Sequence, residues 1–112
     1  MENDTYIIVL STCDSAEMAR SIAENLVSRQ LAACVNIVPG IESVYQWQGK
    51  VQRDSEILLV IKTRQACFEA LQNAIQELHS YELPEIIAVP VQSGEKNYLD
   101  WITSSTSTME IK

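Results

Sequence analysis

Residues 31–64, LAACVNIVPGIESVYQWQGKVQRDSEILLVIKTR, have the pattern of a long β-hairpin. Residues 34–48 are rich in β-branched, aromatic and alternating apolar side chains, and residues 55–63 form a second such run. Gln48-Gly49-Lys50 between the two runs supplies a turn. Two strands joined by a reversal are therefore predicted, and the other elements are placed around them.

The predicted hairpin is too long for one subunit. If its first arm were a single extended strand at roughly 3.3 Å per residue, it would measure about 50 Å. A globular chain of 112 residues has a radius of gyration of only about 13 Å. We therefore expect a neighbouring subunit to cover the arm, and the alternative is an arm that folds back onto its own sheet.

Pro39-Gly40 in the first arm offers a place for a bend or a bulge, because proline lacks a donor and glycine tolerates unusual dihedral angles. Beyond it, the two-residue period of a strand places Ile41, Tyr45 and Trp47 on one face. Full burial of one aromatic side chain is worth about 4 to 6 kcal/mol at most. That face is therefore expected to be buried against a partner.

Composition limits the class of protein. The 112 residues, of which 46% are hydrophobic, fit one domain spanning 1–112. A net charge of −7 argues against nucleic acid or an anionic membrane as the main partner. The three cysteines form no Cys-x-x-Cys pair, and neither a signal peptide nor a long apolar run is visible. A cytoplasmic protein with reduced thiols is expected.

The chain before the hairpin predicts one strand and one helix. Residues 5–12, TYIIVLST, are apolar and β-branched, as in a strand covered on both faces. Asp14-Ser15-Ala16-Glu17 resembles a capping box in which Asp14 is the N-cap. The helix is amphipathic and is expected to end near Gln30.

The chain after the hairpin predicts a helix, a strand and a short terminal helix. Thr63 is expected to cap a helix that ends around His79 and buries Cys67. Residues 86–91 form a strand in which Pro90 requires an edge position. Asn97 is expected to cap the last helix, in which Tyr98, Trp101 and Ile102 share a face, and a Ser/Thr-rich tail from about 104 to 112 is expected to fray.

This order of elements predicts an α+β fold. The predicted order is that of the split βαβ, ferredoxin-like sandwich: strand, helix, strand, strand, helix and strand. In this chain the sandwich has a long hairpin and a short C-terminal helix in addition. Right-handed crossovers place both long helices on one face of the sheet and leave the other face open. The open face and the long hairpin both favour oligomerisation.

Candidate chemistry is sparse. His79 is the only histidine, which excludes a mechanism that needs two within one subunit. In the last turn of its helix it is expected as an imidazolium favoured by the helix dipole. Alternatively, its ring nitrogen and the Cys13 thiolate could bind a soft metal such as copper or zinc. Two ligands do not complete a site, so Glu85, water or another subunit would have to contribute.

Two further sets of residues permit a different reading. Glu56 and Lys62 lie on one side of the second arm by parity, where they form either an interfacial ion pair or contacts to a ligand in a cleft. A pocket between subunits could also be framed by the aromatic residues Trp47, Tyr81, Tyr98 and Trp101, although aromatic packing needs no ligand to explain it.

The sequence resembles the CutA divalent-cation tolerance protein family. The matching segments are LAACVNIVPGIESVYQWQGKV at 31–51, EILLVIKT at 56–63, HSYELPEIIAVPV at 79–91 and YLDWI at 98–102. With the first strand and helix, the resemblance covers nearly all of residues 5–102. It implies a ferredoxin-like subunit in a homotrimer similar in plan to the PII signalling proteins, no established catalytic reaction, and binding of copper and other divalent cations.

The resemblance also bears on the metal ligands. Copper-binding members of the family have a cysteine at the end of the first strand and a histidine pair before the Tyr-x-x-Pro-Glu segment. Ser11 stands at the cysteine position, and Leu78 and His79 stand at the paired positions. The candidate metal ligands of this chain are therefore His79, with Cys13 as a substitute thiolate and Glu85 as an oxygen ligand.

The sequence thus predicts a cytoplasmic, non-enzymatic homotrimer that binds copper or other divalent cations and takes part in the response to metal ions. One alternative is a PII-like sensor that binds a small anion or nucleotide in clefts between subunits through Lys62 and the aromatic residues. Another is a structural interaction module that binds neither class of ligand.

Overall fold

A four-stranded antiparallel sheet is the centre of the computed structural model, which describes residues 5–106. Its strands lie in the order β2-β3-β1-β4, which places β2 and β4 at the two edges. This confirms the predicted ferredoxin-like fold. The elements are β1 (Tyr6–Cys13), α1 (Ala16–Ser28), β2 (Cys34–Trp47), β3 (Lys50–Arg64), a 3-10 turn (Gln65–Cys67), α2 (Phe68–Leu78), β4 (Ile87–Pro90) and α3 (Lys96–Ser105).

The hairpin is formed by β2 and β3. Gln48 and Gly49 both have positive φ, 53° and 82°, as in the two-residue turns that match the twist of a hairpin. The strand register shifts between Val38 and Ile41, and Gly40 has a φ of 78°, so the predicted bulge is confirmed. β3 begins at Lys50 instead of at residue 55, because the polar residues after the turn still pair with β2. The described chain is 46 Å long.

The helices cover one face of the sheet and form the core with it. Ile7 and Val9 of β1 and Leu59 and Ile61 of β3 point to this side and are almost fully buried. They pack against the apolar sides of α1 and α2, which confirms the predicted helical stripes. The buried residues that the helices contribute are Ala19, Ile22, Leu26, Leu71, Ala74 and Ile75.

Ser11 is a polar residue inside this core. Its Oγ is the only buried side-chain nitrogen or oxygen without a hydrogen bond within residues 5–106. An unsatisfied buried polar group costs about 1–3 kcal/mol, whereas its removal with little change of shape is neutral or stabilising. We therefore expect Ser11→Ala to keep or raise the free energy of unfolding, by about 1 kcal/mol. Urea denaturation would check this, and a loss of more than about 1 kcal/mol would contradict it.

The opposite face of the sheet is apolar and only partly covered. Ile8 and Leu10 of β1 lie opposite Val89 and Ile87 of β4, and the latter two side chains are exposed. α3 covers one end of this face, where the Thr106 hydroxyl accepts a hydrogen bond from Arg64. The remaining apolar surface is the open face that the sequence predicted.

Several predicted helix ends were wrong. Ser15 caps α1, because its hydroxyl accepts from the Met18 amide, and Asp14 lies one residue outside. Glu95 caps α3 in place of Asn97 by accepting from the Tyr98 amide. The Thr63 hydroxyl donates to the Leu31 carbonyl and caps no helix, because β3 continues past it.

The C-terminal end of the described chain is ordered. α3 continues through Ser105, and Thr106 is buried, so the fraying predicted from about residue 104 does not begin there. The rest of the predicted tail, 107–112, lies outside the described residues. No helix within the described range is both long and apolar enough to cross a membrane.

Candidate functional site

A groove of about 890 Å³ lies at the end of β1, where the segment that joins α2 to β4 passes the base of the hairpin. β3 extends beyond the end of β1, because Cys13 pairs with Ile57 and the strand begins at Lys50. One wall of the groove is therefore hairpin and the other is the segment that follows α2. Thr12, the penultimate residue of β1, lies between the two walls.

The groove is strongly acidic. Five of its lining residues carry carboxylates, and none of the described residues that line it is basic. A concave surface lined by one sign of charge focuses the electrostatic field and attracts ions of the opposite sign. The carboxylates belong to Asp14, Asp54, Glu56, Glu82 and Glu85. The groove is therefore suited to cations and unsuited to anions.

Tyrosine hydroxyls are bonded to two of these carboxylates. The Tyr81 hydroxyl donates to Glu56 Oε2 at 2.6 Å, and the Tyr45 hydroxyl donates to Asp54. Partial burial, followed by the hydrogen bond to Glu56, raises the pKa of Tyr81 well above its usual value. Tyr81 is therefore a stable donor at neutral pH, and it fixes the position of the Glu56 carboxylate.

His79 supports the groove from behind. The Tyr81 amide donates to its Nδ1 at 3.0 Å, so its Nε2 carries the proton and donates to the Thr12 carbonyl at 2.6 Å. The ring is buried, and its centroid lies 4.5 Å from that of Tyr81. This arrangement is that of a neutral imidazole, because an imidazolium could not accept from the Tyr81 amide. The imidazolium expected from the helix dipole is therefore not what the geometry shows.

The candidate metal ligands do not form a ligand set in one subunit. Both His79 nitrogens are occupied by hydrogen bonds, and Cys13 is fully buried with its thiol donating to the Ser15 carbonyl. Burial raises the pKa of Cys13, which disfavours the thiolate that a metal requires. Glu85 lines the groove. Within residues 5–106, no three His, Cys, Asp or Glu residues are grouped to hold a metal ion.

Lys62 lies apart from the groove. The register places it on the same face of β3 as Glu56, as predicted, but its Nζ donates to the Asn36 amide oxygen. No ion pair joins it to Glu56 within the described residues. Of the four aromatic residues predicted to frame a pocket between subunits, Trp47 and Tyr81 line the groove of the single subunit, whereas Tyr98 and Trp101 contact each other on α3.

Sequence reasoning missed Thr12 and Asp14 as parts of the site. Thr12 is nearly buried and lines the groove, and Asp14 follows directly after β1. The strand period places Thr12 on the face opposite Ser11 and Cys13, which was a usable signal. The sequence alone does not show that the hairpin passes beside the segment after α2, because that contact depends on the tertiary structure.

Comparison with known proteins assigns the chain to a family. The family described as CutA1 divalent ion tolerance protein matches residues 7–105. The divalent-cation tolerance protein CutA of Thermus thermophilus is 50% identical over 88% of this chain and 96% of its own length. The chloroplastic protein CutA of Arabidopsis thaliana is 51% identical over 89% of this chain, which spans only 55% of that relative.

Solved structures agree with the sequence comparison. The Thermus thermophilus divalent cation tolerance protein has a TM-score of 0.90 at 48% identity, covering 91% of this chain and 99% of that one. CutA1 from Oryza sativa also has a TM-score of 0.90 at 48% identity, covering 92% and 94% of the two chains. The chain therefore belongs to the CutA1 divalent ion tolerance family.

Proposed function

We propose that this chain is a non-catalytic, cytoplasmic homotrimer that binds divalent cations weakly and contributes to tolerance of them. Family membership is the observation that carries this proposal, because the relatives are named divalent-cation tolerance proteins. The acidic groove supplies a surface on which cations would concentrate.

The apolar surfaces of the single subunit support the assembly. Ile87 and Val89 are exposed on the open face, and Ile37, Val38 and Val51 are exposed on the hairpin. Exposed apolar surface of this extent on one chain is typical of an interface. Copies of the same chain are the proposed cover, since the hairpin projects far enough to reach another subunit.

Carboxylate oxygens of the groove, with Glu85 among them, are the proposed cation ligands. Oxygen ligands suit hard and borderline divalent ions, and water or a second subunit would complete the coordination. A soft copper site at His79 and Cys13 fits this structure poorly. His79 would have to give up a hydrogen bond to the backbone, and Cys13 would have to ionise while buried.

Metal titration by calorimetry tests the proposal. We expect Mn²⁺, Zn²⁺ and Cu²⁺ to bind weakly and Glu85→Gln to weaken the binding several-fold. Glu69→Gln on the exposed surface of α2 is the matched control for the lost charge and should change nothing. Cys13→Ser should also leave the affinity unchanged. Loss of copper binding in Cys13→Ser would instead establish the soft-metal site, and no binding of any ion would remove the proposal.

One observation favours a second candidate function. The Lys62 amine, on the face that the assembly would cover, has no carboxylate within ion-pair distance in the described chain. A cation so placed could bind a small anion or a nucleotide in a cleft between subunits. Thermal-shift screening separates the candidates, because stabilisation by anions and not by metals would favour this one. Stabilisation by neither class would favour a structural module.

A further inference from the structure

Thr12 has an unused hydroxyl at the bottom of the groove. The residue is only 7% exposed, and its carbonyl accepts from His79. Its hydroxyl makes no hydrogen bond within residues 5–106, although the residue lines the groove. Because Ser11 Oγ is the one fully buried side-chain nitrogen or oxygen without a hydrogen bond in the described chain, the Thr12 hydroxyl is accessible from the groove and free to bond there. A ligand in the groove would supply a partner.

The groups around Thr12 are hydrogen-bond acceptors with negative charge. Thr12 lies opposite Leu58, so Glu56 is two residues away on the same face of β3. Tyr81 holds one Glu56 oxygen, and the other accepts no hydrogen bond from the described residues. Asp14, two residues after Thr12, adds a second carboxylate to the lining of the groove. A ligand that satisfies this end of the groove must be a positively charged hydrogen-bond donor.

The size and the walls of the groove also suit an organic cation. Its volume of about 890 Å³ lies in the range of small-molecule sites, roughly 300 to 1,000 Å³. Tyr45, Trp47 and Tyr81 supply aromatic surface, which attracts alkylammonium groups and packs against methylene chains. The carboxylates are dispersed along the groove, and within the described range no three of them are grouped as metal ligands.

We infer that the groove binds an aliphatic polyamine. One ammonium group would donate to the Thr12 hydroxyl and the Glu56 carboxylate, and the alkyl chain would lie against Trp47. A second ammonium group would lie near Asp54 or Glu82 at the far carboxylates of the groove. This inference does not rest on metal binding by the protein.

Calorimetric titration of the full chain with spermidine, in EDTA and low salt, tests the inference. Chelation separates this experiment from metal binding, so that failure of either proposal leaves the other standing. Spermidine should bind, and a monoamine of similar length should bind at least about tenfold more weakly, a difference of about 1.4 kcal/mol. Because electrostatic attraction to the carboxylates dominates the binding of spermidine, raising the salt concentration should weaken that binding.

Three variants locate the site. Glu56→Gln should weaken spermidine binding about tenfold or more, since it removes a charge-assisted hydrogen bond. Thr12→Val, of nearly the same shape, should weaken it about fivefold, whereas Thr12→Ser should restore it. Glu69→Gln on α2 is the control for net charge and should bind as the parent does.

Three results would overturn the inference. They are the absence of spermidine binding, equal weakening in Glu56→Gln and Glu69→Gln, and unchanged affinity in Thr12→Val. The first result would mean that another copy of the chain or solvent fills the groove. The second would mean that the acidic surface attracts polyamines without a site. Circular dichroism of each variant would establish that it is folded before its affinity is compared.

Discussion

Val89→Glu is expected to dissociate the proposed trimer into single chains at micromolar concentration. Val89 lies on the open face of β4 and is 46% exposed in the isolated subunit, so a glutamate there costs the single chain little. In the assembly the same carboxylate would be buried against apolar surface without a partner. That costs several kcal/mol for each copy, which is enough to prevent association.

Val27→Glu is the matched control for this variant. Val27 is 42% exposed, has the same side chain and lies on α1, away from the open face of the sheet. Sedimentation velocity should show the parent and Val27→Glu as the same assembly and Val89→Glu as single chains. A parent chain that sediments alone, or a Val89→Glu variant that remains assembled, would contradict the proposed interface.

His79→Phe is expected to lower the free energy of unfolding by about 2–4 kcal/mol in the absence of metal. Phenylalanine fills much of the same volume and keeps the ring contact with Tyr81, but it removes both hydrogen bonds of the imidazole. The Thr12 carbonyl and the Tyr81 amide would then lack their partners. Leaving a buried polar group unpaired costs more than a net hydrogen bond contributes.

Tyr81→Phe serves as the comparison for His79→Phe. It removes one hydroxyl bonded to Glu56 and leaves the His79 contacts with the backbone in place. A loss of only about 0.5–1.5 kcal/mol is expected. Urea denaturation in EDTA, at one protein concentration for all variants, measures both effects. Equal stability of His79→Phe and the parent would show that the imidazole is not structural and would reopen its role as a metal ligand.

The fold was largely predictable from the sequence because its signals are local. The hairpin, the helices and the order of the elements follow from the periodicity of the apolar residues and from the turn at Gln48-Gly49. The helix caps were less predictable, since several residues in a row could accept the same amide. At the start of α1 the sequence predicted Asp14 as the cap, whereas in the structure the neighbouring Ser15 accepts from the Met18 amide.

The site was less predictable than the fold. The spacing of His79 and Cys13 suggested metal ligands, but the sequence could not show that backbone groups and burial already occupy them. The sequence predicts Thr12 only as the end of a strand. Its role in the groove depends on how far β3 extends past β1, which is a property of strand register and is not encoded near Thr12.

The position of β2 at the edge of the sheet has a consequence for folding in a crowded cell. Its outer backbone groups have no partner strand in the subunit, and such an edge is a template for aggregation. The bulge between Val38 and Ile41 interrupts that edge, and Pro39 cannot donate an amide hydrogen there. A misdirected strand could therefore add to only half of β2 at a time, which protects newly made chains from aggregation.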